Sequence, residues 1–103
     1  MNSARYEGKP LKRLVEFYVL WAIGELDPSD GATLHDMTPK LSELYGFDGT
    51  WHEIIAATLR FPPTMPDAIE KMWRRNLEIA RANDTLLEPQ QFAEMFVDSN
   101  FPD

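Results

Sequence analysis

The chain contains no cysteine. This absence excludes disulfide bonds, thiolate ligands for a metal ion and a cysteine nucleophile. A domain without these supports depends on its hydrophobic core, and 44% apolar and 12% aromatic residues in a chain of 103 are enough to form one. We therefore expect one domain over residues 1–103, located in the reducing cytoplasm.

Long apolar runs are also lacking. The run from Leu14 to Ile23 contains Glu16 and is about half as long as the roughly 20 residues that span a membrane. Basic residues precede it, as in a signal peptide, but GELDP follows where a small-residue cleavage site would be needed. The sequence predicts a soluble protein with no membrane partner.

Basic residues are few, and they are unevenly placed. Ten Lys and Arg stand against 17 Asp and Glu, for a net charge of −7. Residues 25–53 carry seven acids and only Lys40, while residues 84–103 carry five acids and no base. Nucleic-acid binding depends on cations that meet phosphates, so we expect no nucleic-acid partner. A basic protein is the partner that this charge would attract.

Proline and capping residues divide the chain into helical segments. The first helix is predicted from near Pro10 to before Asp27, although the letters VEFYVLW also allow a strand. Together the segments predict an all-α fold, a small orthogonal bundle of about five helices with flexible tails at residues 1–8 and 99–103. The expected core comprises Leu14, Val15, Tyr18, Trp21, Leu41, Leu44, Ile55, Leu59, Ile69, Met72, Trp73, Phe92 and Phe96.

Apolar residues recur at helical spacing between residues 34 and 45. Pro39 lies within this pattern and either kinks one helix or begins a second one, and Gly46 is expected to end it in a left-handed conformation. Asp27 and Asp30 lie near Gly31, but the spacing does not fit a calcium loop, so Asp27 or Asp30 is interpreted as a helix cap.

Two further motifs favour structural interpretations. The sequence RFPPTMP, residues 60–66, has the form of a rigid loop between helices, although a proline-rich ligand motif is an alternative. The pair Arg74 and Arg75 lies in a helix where acids occur at four-residue spacing, which favours an ion-paired face over a phosphate site.

The sequence TWHE, residues 50–53, shares its His-Glu pair with the zinc-protease motif. That motif needs a second histidine four residues after the first, and Ala56 occupies the position. The same letters form a capping box, in which Thr50 and Glu53 satisfy each other's backbone amides at the start of a helix. The pattern therefore predicts a helix start, with no metal, no cofactor and no catalytic residue.

Three classes of function remain after these exclusions. The lack of a complete catalytic or ligand motif and the segregated charge favour a protein-interaction module of the adaptor, inhibitor or antidote type. A homodimer through residues 11–26 and the C-terminal aromatics is also expected. An enzyme or accessory subunit that uses His52 and Glu53 near Trp51 is the first alternative, and a helix-turn-helix DNA-binding regulator is the second. The residues predicted to bind a partner are Trp51, His52, Val97 and Phe101.

Overall fold

The computed structural model describes residues 9–26 and 28–101 and contains five helices. They are α1 (Pro10–Ala22), α2 (Pro28–Tyr45), α3 (Trp51–Thr58), α4 (Met65–Ala82) and α5 (Pro89–Asn100). No strand occurs within these described ranges. The predicted all-α bundle is thus confirmed, and the strand alternative for the first segment is wrong.

Helix α1 is the central element. Every residue from Leu14 to Leu20 is buried, and α1 contacts α3, α4 and α5. A helix that is apolar on nearly all sides has to be surrounded, and here the rest of the same chain surrounds it. Residues 14–20 of the seam expected for a homodimer are therefore covered within one chain, whereas Leu11 is exposed and Trp21 is half-buried.

Helix α2 continues through Pro39 as a single element. A proline in a helix interior removes one backbone donor. Just before it, the Thr38 hydroxyl donates to the Leu34 carbonyl at 3.0 Å. Gly46 has φ +73°, the left-handed conformation that the sequence predicted for the end of this helix.

Most of the expected core is confirmed. Eight of the thirteen residues are buried, and Trp21, Leu59 and Trp73 are half-buried and pack against the core. Leu44 and Met72 are corrections, because their exposed fractions are 74% and 43%. Helices α2 and α4 each present one narrow face to the bundle, and these two side chains lie beside that face.

The chain ends were expected to be flexible tails. Residues 1–8 and 102–103 lie outside the described residues. Helix α5 continues through Asn100, and Phe101 packs against the core. Among the described helices, none has the length and apolar character needed to cross a membrane.

Candidate binding groove

An open groove lies where α1, α3 and the loop that follows α3 meet. Its volume is about 340 Å³. We call it the aromatic groove, and it is lined by Tyr18, Trp21, His52, Glu53, Ala56, Phe61, Pro62, Pro63 and Pro66. Each of the three elements contributes at least one aromatic ring, so the groove depends on the packed fold and not on one segment.

The capping box at the start of α3 positions one side of the groove. The Glu53 amide donates to Oγ1 of Thr50 at 3.4 Å, and the Thr50 amide donates to Oε1 of Glu53 at 3.0 Å. The Thr50 hydroxyl adds a second bond to the same Oε1 at 2.7 Å. The capping prediction is confirmed. The His-Glu pair is therefore part of a helix start in which the glutamate is already engaged.

His52 is held between aromatic rings. Its imidazole stacks on the indole of Trp21, with centroids 4.2 Å apart and an interplanar angle of 14°. The ring also meets Trp51 edge to face at 5.4 Å, and Nε2 lies 3.1 Å from Oγ1 of Thr50. These contacts fix the imidazole orientation from three sides.

Burial lowers the pKa of His52 below its ordinary value of 6.5. The Glu53 carboxylate raises this pKa, and His35 lowers it, but burial has the largest effect. His52 is consequently neutral at pH 7. The bonds from Thr50 also lower the pKa of Glu53, so that carboxylate is ionised at the same pH.

Further ring contacts extend along the groove. Tyr18 lies 5.6 Å from Trp21 and 5.4 Å from Phe61, centroid to centroid, in tilted arrangements. Trp21 meets Trp51 edge to face at 6.1 Å. Burial raises the pKa of Tyr18, so its hydroxyl stays protonated at neutral pH. The result is a rigid aromatic surface with one end in the core and the other at the groove.

The end of α3 places Phe61 in the groove. The Phe61 amide donates to the Ala56 carbonyl at 2.8 Å, and the Arg60 amide donates to the Ala57 carbonyl at 3.2 Å. Arg60 has φ +57°, which reverses the chain direction after the helix. The prolines that follow then form one wall of the groove. Pro62 and Pro63 lie in the loop predicted at residues 60–66, whose last two residues already belong to α4.

The groove lining is mostly apolar. It contains no serine, threonine, cysteine or lysine that could act as a nucleophile. In the part of the chain that the structure describes, no three His, Asp, Glu or Cys side chains are grouped to hold a metal ion. The arrangement offers apolar rings, one neutral imidazole and one carboxylate.

The four residues predicted to bind a partner do not form one surface. Trp51 and Val97 are buried, with exposed fractions of 1% and 0%, so neither side chain offers area to a partner. Phe101 is half-buried and packs against the core beyond α5, and His52 lines the groove. Trp51 faces inward directly after the helix cap, and Val97 lies on α5 where that helix packs on α1, so partner binding by these four residues stays a prediction.

The sequence reasoning missed Trp21, Phe61 and the two central prolines as surface features. The sequence pattern places Trp21 in the core and favours a loop for the proline stretch, with a proline-rich ligand motif as the alternative. The available signal was the composition of residues 60–66, where an aromatic residue precedes prolines between two helices. The packing of Phe61, Pro62 and Pro63 beside α1 depends on the tertiary fold, and the sequence pattern does not contain that information.

No family model, curated protein or solved structure matches this chain. Its function therefore has to be argued from the geometry and chemistry of the groove.

Proposed function

We propose that this protein is a small protein-binding module, without catalytic activity, and that its partner docks in the aromatic groove. The observation that carries the proposal is the half-buried stack of Trp21 and His52 that lines the groove, with Trp51 packed against both rings. Aromatic rings that line a groove in fixed orientations lose little conformational entropy on binding, which makes them effective contact residues.

The enzyme alternative has less support from the site. Glu53 accepts two hydrogen bonds from Thr50 and has a lowered pKa, so it is a weak proton acceptor at neutral pH. His52 could accept a proton, but the lining residues supply no serine, threonine, cysteine or lysine nucleophile and no lysine or arginine for it to work with.

The DNA-binding alternative also has less support. In a helix-turn-helix arrangement, α3 would follow α2 and enter the major groove. Its sequence WHEIIAAT contains no lysine or arginine, and Glu53 lies in its first turn. A recognition helix of this kind would bring a negative charge to the phosphates.

The test is partner capture from the native source with a matched pair of variants. Pro63→Lys places a charged side chain in the groove. Ile79→Lys is the control, because it places the same side chain at an exposed position on α4 outside the groove. Ile79 lies thirteen positions after the groove residue Pro66 in α4, which is a rise of roughly 20 Å along the helix axis.

We expect Pro63→Lys to lose the protein that the wild type captures and Ile79→Lys to retain it. Thermal melting of both variants verifies that each is folded. Capture that is unaffected by Pro63→Lys in a folded protein would reject the groove as the docking site.

The homodimer remains a proposal, and because residues 14–20 of the expected seam are buried, we propose a different surface for it. Two shallow depressions on α4, α5 and their connection share Met95. Exposed apolar side chains line them, and we call these the apolar flank: Met72, Leu86 and Met95. A two-fold contact, if the chain forms one, is proposed to use this flank because the apolar side chains from Leu14 to Leu20 in α1 are buried.

A further inference from the structure

We propose that the aromatic groove binds an arginine side chain of a basic protein, with the guanidinium against the aromatic rings and within hydrogen-bonding reach of Glu53. This inference rests on the proposed function and specifies the chemistry of the partner. Its basis is the placement of one exposed, ionised carboxylate beside half-buried aromatic rings that line the same groove.

The carboxylate keeps one oxygen for a ligand. Both hydrogen bonds that Thr50 donates to Glu53 end on Oε1. Oε2 therefore retains its lone pairs, and the side chain is exposed. The capping box holds this carboxylate in place, so a ligand would not have to order it.

The rings supply the second half of the site. A cation within about 6 Å of an aromatic centroid is attracted by the ring quadrupole, most strongly by tryptophan. Trp21, Phe61 and the neutral imidazole of His52 provide such surfaces, while Pro62 and Pro63 provide an apolar wall for an aliphatic stem. No lysine or arginine lines the groove to compete for them.

Ring spacing favours arginine over a quaternary ammonium group. Tyr18 contacts Trp21 and Phe61 directly, at 5.6 and 5.4 Å, so these rings do not surround an enclosed space. An open aromatic surface suits a flat guanidinium, which stacks on rings and is more weakly hydrated than an ammonium group. The net charge of −7 would also attract a basic protein.

The experiment uses three pentapeptides that differ only at the central residue. They are acetyl-Gly-Ala-Arg-Ala-Gly-amide and its lysine and citrulline counterparts, citrulline being the uncharged analogue of arginine. Binding is followed by NMR through the indole N–H of Trp21 and the backbone amide of His52.

We expect saturable shifts with the arginine peptide and weaker binding of the other two. Loss of the charge in citrulline should weaken binding about tenfold or more, a factor that corresponds to about 1.4 kcal/mol. Citrulline or lysine binding equal to arginine binding would overturn the proposal, as would shifts confined to residues outside the groove.

Glu53→Gln separates the role of charge from the role of the fold. Glutamine also completes a capping box, so this variant removes the charge and retains the helix start. We expect it to weaken arginine binding about two- to fivefold, the range for an exposed ion pair. Glu43→Gln, an exposed change of the same charge on α2, should leave binding unchanged. Equal affinity of wild type and Glu53→Gln would contradict the role of the carboxylate.

The two proposals fail in different ways. If no peptide shifts the groove signals while Pro63→Lys still loses the native partner, the arginine inference is wrong and the docking proposal stands. If Pro63→Lys retains the partner, the docking proposal is wrong.

Discussion

The imidazole of His52 and the indole of Trp21 lie parallel, with centroids 4.2 Å apart, and this contact joins α3 to the central helix α1. One residue belongs to the first turn of α3 and the other to the last turn of α1. The floor of the groove is thus formed by a contact between the end of α1 and the start of α3. Gly24 follows the end of α1, and the Thr50 cap begins α3.

His52 is predicted to titrate below its ordinary pKa of 6.5, since burial against Trp21 disfavours the charged ring. Because the pKa of His52 is lower in the folded state than in the unfolded state, this residue contributes stability that is fully present above pH 6.5. That stability is lost as the pH falls through the pKa of the folded state. Chemical shifts of the imidazole protons give the midpoint, and urea unfolding in the same pH range gives the stability. His52→Gln should remove this part of the pH dependence. A midpoint at or above 6.5 would be inconsistent with the buried stack.

Thr50→Ala is predicted to lower the free energy of unfolding by about 1 kcal/mol, the usual effect of losing a helix N-cap. Thr50→Ser keeps an acceptor oxygen and should change stability much less. Urea midpoints at constant m-value provide the comparison. Equal stability of the alanine and serine variants would show that the hydrogen bonds of the capping box contribute nothing.

Two isoleucines on α4 provide a matched pair for the core. Ile69 has an exposed fraction of 0% and Ile79 one of 50%. Ile69→Ala should cost about 2 to 5 kcal/mol, because it removes buried methyl groups and leaves a cavity. Ile79→Ala removes the same atoms from a surface site and should cost less than about 1 kcal/mol. Similar losses for the two variants would contradict the assigned inward face of α4.

Gly24 and Arg60 both follow a helix in the left-handed conformation, with φ +77° and +57°. A Cβ added at Gly24 meets no atom within 4 Å, so Gly24→Ala tests the backbone alone. We expect it to destabilise the protein by about 1 kcal/mol, and we expect Arg60→Gly to stabilise it slightly. Thermal melts of both variants check the opposite signs. Destabilisation by Arg60→Gly would mean that the arginine side chain contributes more than its backbone conformation costs.

The elements could be predicted from the sequence because their signals are local. Pro10, Thr50 and Pro89 stand at or beside helix starts, and Gly46 ends α2 as expected. Each of these residues acts through its own backbone geometry or through a hydrogen bond a few residues away. Such signals do not depend on how the helices pack.

The groove could not be predicted, because it depends on which helix faces lie together. Trp51 and His52 are adjacent in the sequence, yet one is buried and the other lines the groove. The spacing of apolar residues predicts which face of a helix is buried but not how wide the buried face is. For that reason the sequence predicts Met72 in the core beside Ile69, whereas its side chain is exposed. The position of Phe61 beside Tyr18 depends on packing between segments more than 40 residues apart.

Salt should separate self-association from partner binding. At about 1 M salt the Debye length is near 3 Å, so attraction between an acidic surface and a basic partner is screened, whereas apolar burial is retained. A homodimer through the apolar flank should therefore persist in light scattering at high salt and be lost in Met95→Lys, which places a charge at the centre of that flank. The complex with a basic partner should weaken over the same salt series.

A chain that is monomeric at every protein concentration would reject the dimer. A complex with the same affinity at low and high salt would reject the electrostatic component of docking.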